Sequence, residues 1–311
     1  MLSNTIKYLL KESIGFVLRV FRVHVLIKKL SKNFYLVFNY HSFSKYNNYK
    51  VKRGNILETG YRDNFEEQIK FFNKHFEFSY PNEFFRADNK KCSVLVTFDD
   101  GYKDNYDIAL PVLQKHNAKA IFFIVTALTD TKDMLMHDKI RLLIQMGKIN
   151  SSYESIPRYM YKGENNYDES SVNYINNAFS EVNINANLMM STENLIAINK
   201  QNFRLGNHTH NHQALSFLNK DQQADEIKIC ASILSSITKV NSIAYPNGLY
   251  NSDTIAVCKE LGYNYGFTIK PGVNDDKENP FELKRIGINV SDSINTIVFK
   301  IVMNYIGVSW I

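Results

Sequence analysis

The segment VLVTFDDGY at 94–102 places Asp99 and Asp100 directly after an apolar run that is typical of a buried strand. Neighbouring carboxylates repel each other and lose hydration on burial, unless a cation or hydrogen-bond donors offset the cost. The pair therefore indicates a metal site or an acid/base site. Asp-Asp-Gly is also a common turn sequence, so a solvated turn is the alternative interpretation.

Three of the chain's eight histidines lie within five residues, at His208, His210 and His212. A helical turn would bring His208 and His212 onto one face, where Asp100 offers a third ligand for one cation. Two histidines and one carboxylate leave metal positions open to water and substrate, as catalytic sites do. The alternative is a set of polar, solvated loop residues.

Both motifs come at the ends of predicted strands. Residues 203–206 predict a short strand that runs into the histidines, as residues 94–98 run into the aspartates. Parallel α/β folds build their sites at the carboxyl ends of strands. This placement favours a functional site over a solvated loop.

These segments resemble the motifs of the polysaccharide deacetylase family, the NodB-homology domain of carbohydrate esterase family four. TFDDG at 97–101 matches its first motif, and HTHNH at 208–212 matches its second. AYPNG at 244–248 resembles its Tyr-Pro-Tyr-Gly loop, although Ala244 stands where many members have an arginine. The similarity extends from about residue 34 to residue 290, around a divergent segment.

The resemblance implies a role for each of these residues. Asp99 is expected to be the general base. The expected ligands of a divalent metal ion are Asp100, His208 and His212. Zinc is the first expectation for the metal, with cobalt, nickel, manganese and iron as alternatives. The expected oxyanion and substrate loop is Tyr245, Pro246, Asn247 and Gly248, with the backbone N–H of Asn247 facing the oxyanion.

The family's late Leu-X-His motif, which carries the general acid, is absent, since no histidine follows His212. A permuted subgroup that resembles the poly-N-acetylglucosamine deacetylases takes this histidine from its first strand, and LVFNYHS at 36–42 is similar to that strand. His41 is therefore the candidate acid. The alternative is an ordinary strand-end histidine capped by backbone. LKRIGI at 283–288 resembles the last strand of the same subgroup.

These residues together provide the parts for amide hydrolysis. A divalent cation lowers the pKa of bound water from about 15.7 towards 7, and Asp99 takes the proton as that water attacks an amide carbonyl. The metal and a backbone N–H stabilise the oxyanion, and a protonated imidazole delivers a proton to the departing amine. The expected products are acetate and a free amino sugar.

Strand and helix signals alternate along the chain, which predicts a mostly parallel sheet. Predicted strands cover residues 34–41, 94–98, 120–125, 203–206, 243–245, 263–269 and 285–288. Predicted helices start near Asn64, Pro111 and Ser191 and also cover 227–237 and 255–261. The resemblance implies an α/β fold, the distorted (β/α) barrel of seven strands. The expected division is an N-terminal segment 1–30, a barrel 31–290 and a C-terminal helix 291–311.

Residues from about 127 to 190 break this alternation and are expected to form an insertion. Residues 134–146 predict a helix, whereas 150–187 are rich in Asn, Ser, Tyr and Glu and show little periodicity. A long excursion inside a compact domain is usually a lid, a binding loop or a flexible insertion. His137 and Asp138 are candidates to approach the site, although a surface helix with a satisfied histidine is the favoured interpretation.

Composition limits the remaining possibilities. The chain has 311 residues, 44% of them hydrophobic, which is ample for a core. Its net charge is +6, and the sequence has no basic run interleaved with aromatic residues. Nucleic acid is therefore not expected as a partner. The three scattered cysteines are interpreted as core residues, which favours a reducing compartment. An N-acetylated carbohydrate is the expected partner.

The N-terminal segment is basic and rich in Ile, Leu, Val and Phe between residues 6 and 30. Charged residues interrupt every apolar stretch, so neither a signal peptide nor a spanning helix is predicted, and a cytoplasmic location is expected. The segment fits contact with an anionic membrane face. The favoured alternative is a helix packed on the barrel.

Two other functions stay open at the level of the sequence. Ala244 and the relocated acid leave room for a glycan-binding or scaffold barrel without turnover, although the intact Asp99 argues against it. A site of one aspartate and two histidines also serves other electrophiles, such as an amide in a small metabolite or nucleotide sugar, or a phosphoester. The absence of an export signal favours a nucleotide-linked or lipid-linked sugar over a finished wall polymer.

Overall fold

The computed structural model describes residues 4–30, 33–43, 56–85, 92–150, 169–182 and 188–308. All of the candidate site residues fall within these ranges. Parts of the segment that the sequence predicts to be irregular, residues 151–168 and 183–187, lie outside the described residues.

A curled sheet of parallel strands forms the centre of the fold. Its strands are β1 (Tyr35–Tyr40), β2 (Glu77–Phe78), β3 (Ser93–Phe98), β4 (Ala120–Ile124), β5 (Arg204–Asn207), β6 (Ser242–Ala244), β7 (Tyr265–Phe267) and β8 (Ile286–Gly287). The main path runs β7-β6-β5-β4-β3-β1-β8, while β2 pairs with β3 off this path. A parallel bridge from Phe267 to Leu283, just ahead of β8, links the two ends of the path. The predicted distorted (β/α) barrel is confirmed.

Helices cover the outside of the sheet and extend beyond it. They are α1 (Asn4–Val20), α2 (Val23–Leu30), α3 (Ile56–His75), α4 (Pro81–Phe84), α5 (Leu110–Lys115), α6 (Met136–Gln145), α7 (Glu169–Ser180), α8 (Thr192–Lys200), α9 (Lys220–Ser235), α10 (Ser252–Glu260) and α11 (Ile294–Tyr305). Ser191 caps α8 as predicted, since its side chain accepts a hydrogen bond from the backbone N–H of Asn194. A single π-helical turn, Asn105–Ala109, leads into α5.

The alternation of side chains along the strands separates two environments. In β1, Leu36, Phe38 and Tyr40 join the large apolar cluster between sheet and helices. Tyr35 and Val37 point the opposite way, into a smaller apolar cluster. That smaller cluster, inside the barrel, contains Leu95, Ile121, Phe123, Phe267 and Leu283. Side chains at the next inward positions therefore lie above an apolar floor, at the carboxyl ends of the strands.

The insertion is more regular than its sequence indicates. The helix predicted over residues 134–146 is present as α6, but the prediction of irregular structure is wrong for α7. Ile175 of α7 is fully buried in a small cluster with Ile140 and Leu143 of α6. Six of the twelve residues of α7 are asparagine or serine, although Val172, Ile175 and Phe179 do recur at helical spacing.

The N-terminal segment forms α1 and α2, and α1 packs against α11. The expected packing of this segment on the rest of the domain is therefore present. Within the described ranges, none of the helices combines the length and the apolar character that crossing a bilayer requires. The division of the chain into segments, and its cellular location, stay predictions.

The three cysteines, Cys92, Cys230 and Cys258, are all buried, and they form no disulfide among the described residues. This agrees with their interpretation as small core residues. Burial raises the pKa of Cys230 and of Cys258 to about 12, so both thiols stay protonated at neutral pH.

Candidate active site and metal centre

Asp99 and Asp100 lie at the carboxyl end of β3, where the backbone leaves the sheet. The N–H of Asp99 donates to the carbonyl of Tyr40 in the adjacent strand, at 3.0 Å. Asp100 and Gly101 then adopt positive φ values of 78° and 82°. This turn holds both carboxylates in the interior, and each residue is only 2% exposed. The solvated turn considered for the sequence is therefore excluded.

Asp100 meets the two candidate histidine ligands. Its Oδ1 atom lies 3.4 Å from Nε2 of His208 and 3.3 Å from Nε2 of His212. Among the described residues, these three form a set whose potential ligand atoms all lie within 4.8 Å of one another. A tetrahedral ion with ligands at 2.0–2.1 Å would separate neighbouring ligand atoms by about 3.3–3.4 Å. The donor types and their spacing therefore fit a zinc-like divalent ion.

The two histidines come together by a route that the sequence does not predict. Residues 208–212 form no helical turn, so the helical interpretation is wrong. Instead, Thr209 and His212 take positive φ values of 63° and 58°, and the chain folds back on itself. Positive φ is rare for a β-branched residue, and such conformations persist where the surroundings impose them.

Buried polar contacts impose this turn. The side-chain carbonyl of Asn207 accepts from the N–H of Thr209 at 2.8 Å, while its amide donates to the carbonyl of Ile227 and the hydroxyl of Tyr263. His210 points elsewhere, to within 3.0 Å of the hydroxyl of Thr126. The third histidine of the cluster is therefore not brought into the candidate metal set.

One hydrogen bond fixes the orientation of His208. Its Nδ1 atom lies 2.8 Å from the carbonyl oxygen of Ala244, which can only accept, so the proton of the neutral ring is on Nδ1. In that neutral ring, Nε2 has the free lone pair that a metal ion would accept, whereas in the protonated ring Nε2–H donates to Asp100. Metal-binding histidines are commonly held in this way by a carbonyl on the far side of the ring.

Asp99 has a different partner, Arg285, which sequence reasoning missed. The guanidinium makes two parallel hydrogen bonds, from Nη1 to Oδ1 at 2.7 Å and from Nη2 to Oδ2 at 2.8 Å. Asn39 adds a third donor at 3.2 Å. Ala244 stands where many family members have an arginine. Here Arg285, just ahead of β8, supplies the positive charge instead. In the sequence, this role is indicated only by position: Arg285 comes two residues after Leu283, so both side chains point into the barrel.

Arg285 is itself fully engaged inside the barrel. It is 2% exposed, and its Nε donates to the carbonyl of Thr268 at 2.7 Å. Nη1 also contacts the side-chain oxygens of Asn39 and Thr97, at 3.0 and 3.3 Å. These bonds fix the plane of the guanidinium, so Asp99 is held in one orientation.

The two carboxylates are ionised for different reasons. Burial alone would raise the pKa of Asp99, but the charge and hydrogen bonds of Arg285 bring that pKa below its ordinary value. Burial opposes ionisation of Asp100 as well, yet hydrogen bonds from His208 and His212 hold its pKa well below the usual range. Burial lowers the pKa of His208, but bonding to Asp100 reverses this and raises the pKa overall.

The candidate acid, His41, comes to the same place from β1. Its Nε2 lies 3.9 Å from Oδ2 of Asp99, and its side chain is 39% exposed. The backbone around it is anchored, because Asn105 donates to the carbonyl of His41 and Asp104 accepts from the N–H of Phe43. His41 therefore lies between the buried base and solvent.

The predicted substrate loop adjoins the metal set through Ala244. Pro246–Gly248 forms one tight turn in which Asn247 has a φ of 56°. Tyr245 is buried, donates to the carbonyl of Phe281 at 2.9 Å and stacks on Tyr250. These contacts fix the loop beside His208.

Residues of the insertion also reach the site, contrary to the favoured interpretation for His137 and Asp138. The hydroxyl of Tyr102 donates to Oδ2 of Asp138 at 2.6 Å, which ties α6 to the aspartate turn. The rings of His137 and His212 are 6.3 Å apart. A cavity of about 380 Å³ lies here, lined in part by Leu128, Met134, His137, Asn176, Asn211 and His212.

Fold and site together define a class. A parallel (β/α) barrel carries an Asp-His-His set and a separate, ion-paired aspartate at the carboxyl ends of its strands, as expected of a hydrolase with a candidate metal centre. Residues 86–266, more than half of the chain, match the family model "Polysaccharide deacetylase". The chain belongs to the polysaccharide deacetylase family, and the expected enzyme class, a carbohydrate N-deacetylase, is confirmed at the level of the family.

Similarity to individual proteins supports the predicted subgroup. The chain is 26% identical over 288 residues to the poly-beta-1,6-N-acetyl-D-glucosamine N-deacetylase of Staphylococcus aureus (strain MRSA252), covering 84% of this chain and 81% of that one. It is 25% identical over 203 residues to YxkH of Bacillus subtilis (strain 168), covering 65% of this chain. The chain spans about half, 53%, of the length of YxkH.

A solved structure shows the same fold. The Streptococcus pyogenes deacetylase PplD, determined in complex with acetate, superposes with a TM-score of 0.60 at 22% identity. The superposition covers 86% of this chain and 98% of that one.

Removing one candidate ligand should empty the metal site. We expect Asp100→Ala and His212→Ala each to weaken metal binding by more than about a hundredfold, since loss of supporting groups alone costs 10–100-fold. Metal content after dialysis, measured by mass spectrometry, tests this. His210→Ala is the matched control and should retain the ion, because His210 lies in the same turn but points away. Full occupancy in both ligand variants would contradict the assignment.

Removing Arg285 should destabilise the protein through Asp99. Arg285→Met leaves a buried carboxylate without its cation, and we expect the free energy of unfolding to fall by about 3–5 kcal/mol. Adding Asp99→Asn should recover part of this loss, because the uncompensated charge is then gone. Urea unfolding of the three variants measures the coupling. Equal or greater destabilisation of the double variant would show that the ion pair is not the source of the effect.

Proposed function

We propose that this protein is a metal-dependent hydrolase that removes the N-acetyl group from an amino sugar in a glycan. The observation that carries the proposal is the different partnering of two adjacent carboxylates. Asp100 faces two imidazoles, whereas Asp99 is held away from them by Arg285. One carboxylate is thus placed to bind a cation, and the other is left to move a proton.

Asp100, His208 and His212 would hold the ion. When bound there, a divalent cation acidifies water and polarises the acetyl carbonyl. Asp99 accepts the proton of the attacking water, and Arg285 keeps its carboxylate ionised and fixed in direction. The backbone N–H of Asn247, in the turn beside His208, donates to the developing oxyanion.

His41 is the proposed general acid. The amine is a good leaving group only if its nitrogen gains a proton as the C–N bond breaks. The imidazole lies 3.9 Å from Asp99 and is partly exposed, so it can take up a proton from solvent and deliver it to the nitrogen. The step balances because the oxygen of water forms the new C–O bond of acetate as the C–N bond breaks. Asp99 takes one proton from that water, and His41 gives one proton to the nitrogen, which already carries its own hydrogen.

The cavity beside His212 gives a substrate room to extend beyond the candidate metal ligands. Its volume of about 380 Å³ is typical of a ligand pocket, and both apolar and polar side chains line it. The relative from Staphylococcus aureus that is named as a poly-beta-1,6-N-acetyl-D-glucosamine N-deacetylase supports the same class of substrate. We therefore infer an N-acetylglucosamine polymer as substrate, with lipid-linked and nucleotide-linked sugars as the other forms to test.

A panel of N-acetylated sugars tests the reaction itself. The metal-loaded protein should release acetate from β-1,6-linked N-acetylglucosamine oligomers and much less from the free sugar or its nucleotide-linked form. Asp99→Asn should abolish release by at least about a hundredfold while the metal stays bound, because only the base is lost. If the wild-type protein releases acetate from no member of the panel, the proposal is overturned.

His41→Gln should slow turnover on the best substrate by about 10²–10⁴-fold without loss of metal, as expected for a general acid. A substrate with a more acidic leaving group needs less protonation, so an N-acetyl aryl amine should be less affected. Steady-state kinetics on both substrates measures the difference. Wild-type rates on the sugar would assign the acid to water or to another residue.

A further inference from the structure

The inner face of α1 is fixed to the barrel by polar contacts. Glu12 accepts hydrogen bonds from the hydroxyls of Ser293 and Thr296, at the N-terminus of α11. Arg19 donates to the side-chain oxygen of Asn295 at 3.1 Å. These bonds define which face of α1 points inward and hold the helix in place.

The opposite face of α1 is apolar and exposed. Leu9, Leu10, Phe16, Val17 and Val20 recur at intervals of three, four and seven, so they form one stripe along the helix. Their exposed fractions range from 37% to 58%. The stripe continues past the end of α1, where Phe21 is 75% exposed and Leu26 of α2 is 51% exposed. A soluble helix on a barrel normally has a polar outer face.

The same segment carries most of the net charge of the chain. Residues 1–30 contain six basic residues, Lys7, Lys11, Arg19, Arg22, Lys28 and Lys29, and a single acid, Glu12, which is turned inward. Six basic residues against one acid give this segment a net charge of +5, compared with +6 for all 311 residues. An apolar stripe on a basic segment is complementary to a surface with an apolar interior and anionic headgroups.

We propose that α1 and α2 dock this protein on an anionic lipid bilayer, lying in the plane of the interface. The stripe residues enter the boundary between headgroups and acyl chains, and basic residues such as Arg22 and Lys29 meet anionic headgroups. A second copy of this chain is the less favoured occupant, because two segments of net charge +5 would repel each other.

Docking would also determine where the active site lies relative to the membrane. The residues between β8 and α11 accept three hydrogen bonds from the amide of Gln68, whose side-chain oxygen accepts from the hydroxyl of Tyr40, next to His41. The helix that carries the stripe is thus attached at the catalytic edge of the barrel. A glycan close to the membrane would reach this edge; that consequence rests on the proposed function, whereas the docking does not.

Vesicle co-sedimentation of the full chain tests the docking without any turnover. The protein should bind vesicles of phosphatidylcholine mixed with phosphatidylglycerol at least about tenfold more tightly than phosphatidylcholine alone, and added salt should weaken this. Phe16→Ser combined with Phe21→Ser should lose binding by more than about tenfold. Ile229→Ser with Ile233→Ser is the matched control on the exposed face of α9 and should bind as wild type.

Charge reversal separates the two contributions. Arg22→Glu with Lys29→Glu should abolish the preference for anionic vesicles, whereas Lys228→Glu with Lys239→Glu, a change of equal charge elsewhere, should leave most of it. All variants should keep the wild-type melting temperature and acetate release from soluble oligomers, which separates this proposal from the proposed function. Absence of vesicle binding by the wild type, or self-association that Phe16→Ser with Phe21→Ser removes, would overturn the docking.

Discussion

Two adjacent carboxylates are buried at the end of one strand, and the rest of the site depends on how each is neutralised. Burial of two neighbouring carboxylates normally favours protonation of one of them. Here Arg285 neutralises Asp99 from one side, and His208 and His212 face Asp100 from the other. The arrangement keeps the proposed base and the proposed metal ligand next to each other without making them interchangeable.

The barrel makes this separation possible because it collects residues from distant parts of the chain. β3 supplies the aspartates, β5 runs into the histidines, β6 supplies the carbonyl that orients one of them, and β8 follows the arginine. All of these strands are parallel, so their carboxyl ends meet at one edge. Beneath that edge, the inward residues are apolar, so they offer neither Arg285 nor Asp99 a polar partner in place of the other.

Much of this could be predicted from local sequence. The strand before Asp99, the histidine cluster and the cap at Ser191 each have a signal within a few residues. Arg285 could not be predicted as the partner of Asp99, because the pairing depends on β8 lying beside β1, which in turn pairs with β3, while the two residues are 186 apart in sequence. Spacing alone does not specify positive φ at Thr209, so it does not predict the histidine turn. The periodicity of Val172, Ile175 and Phe179 does indicate α7, but half of that helix is asparagine or serine, which favour helices only weakly.

Anomalous diffraction from crystals of the zinc-loaded protein tests the central claim most directly. We expect one ion, bonded at about 2.0–2.2 Å to an oxygen of Asp100 and to Nε2 of His208 and His212. Asp99 should remain paired with Arg285 and outside the coordination sphere. An ion that lacks any of the three ligands, or that binds Asp99 in place of Asp100, would contradict the account.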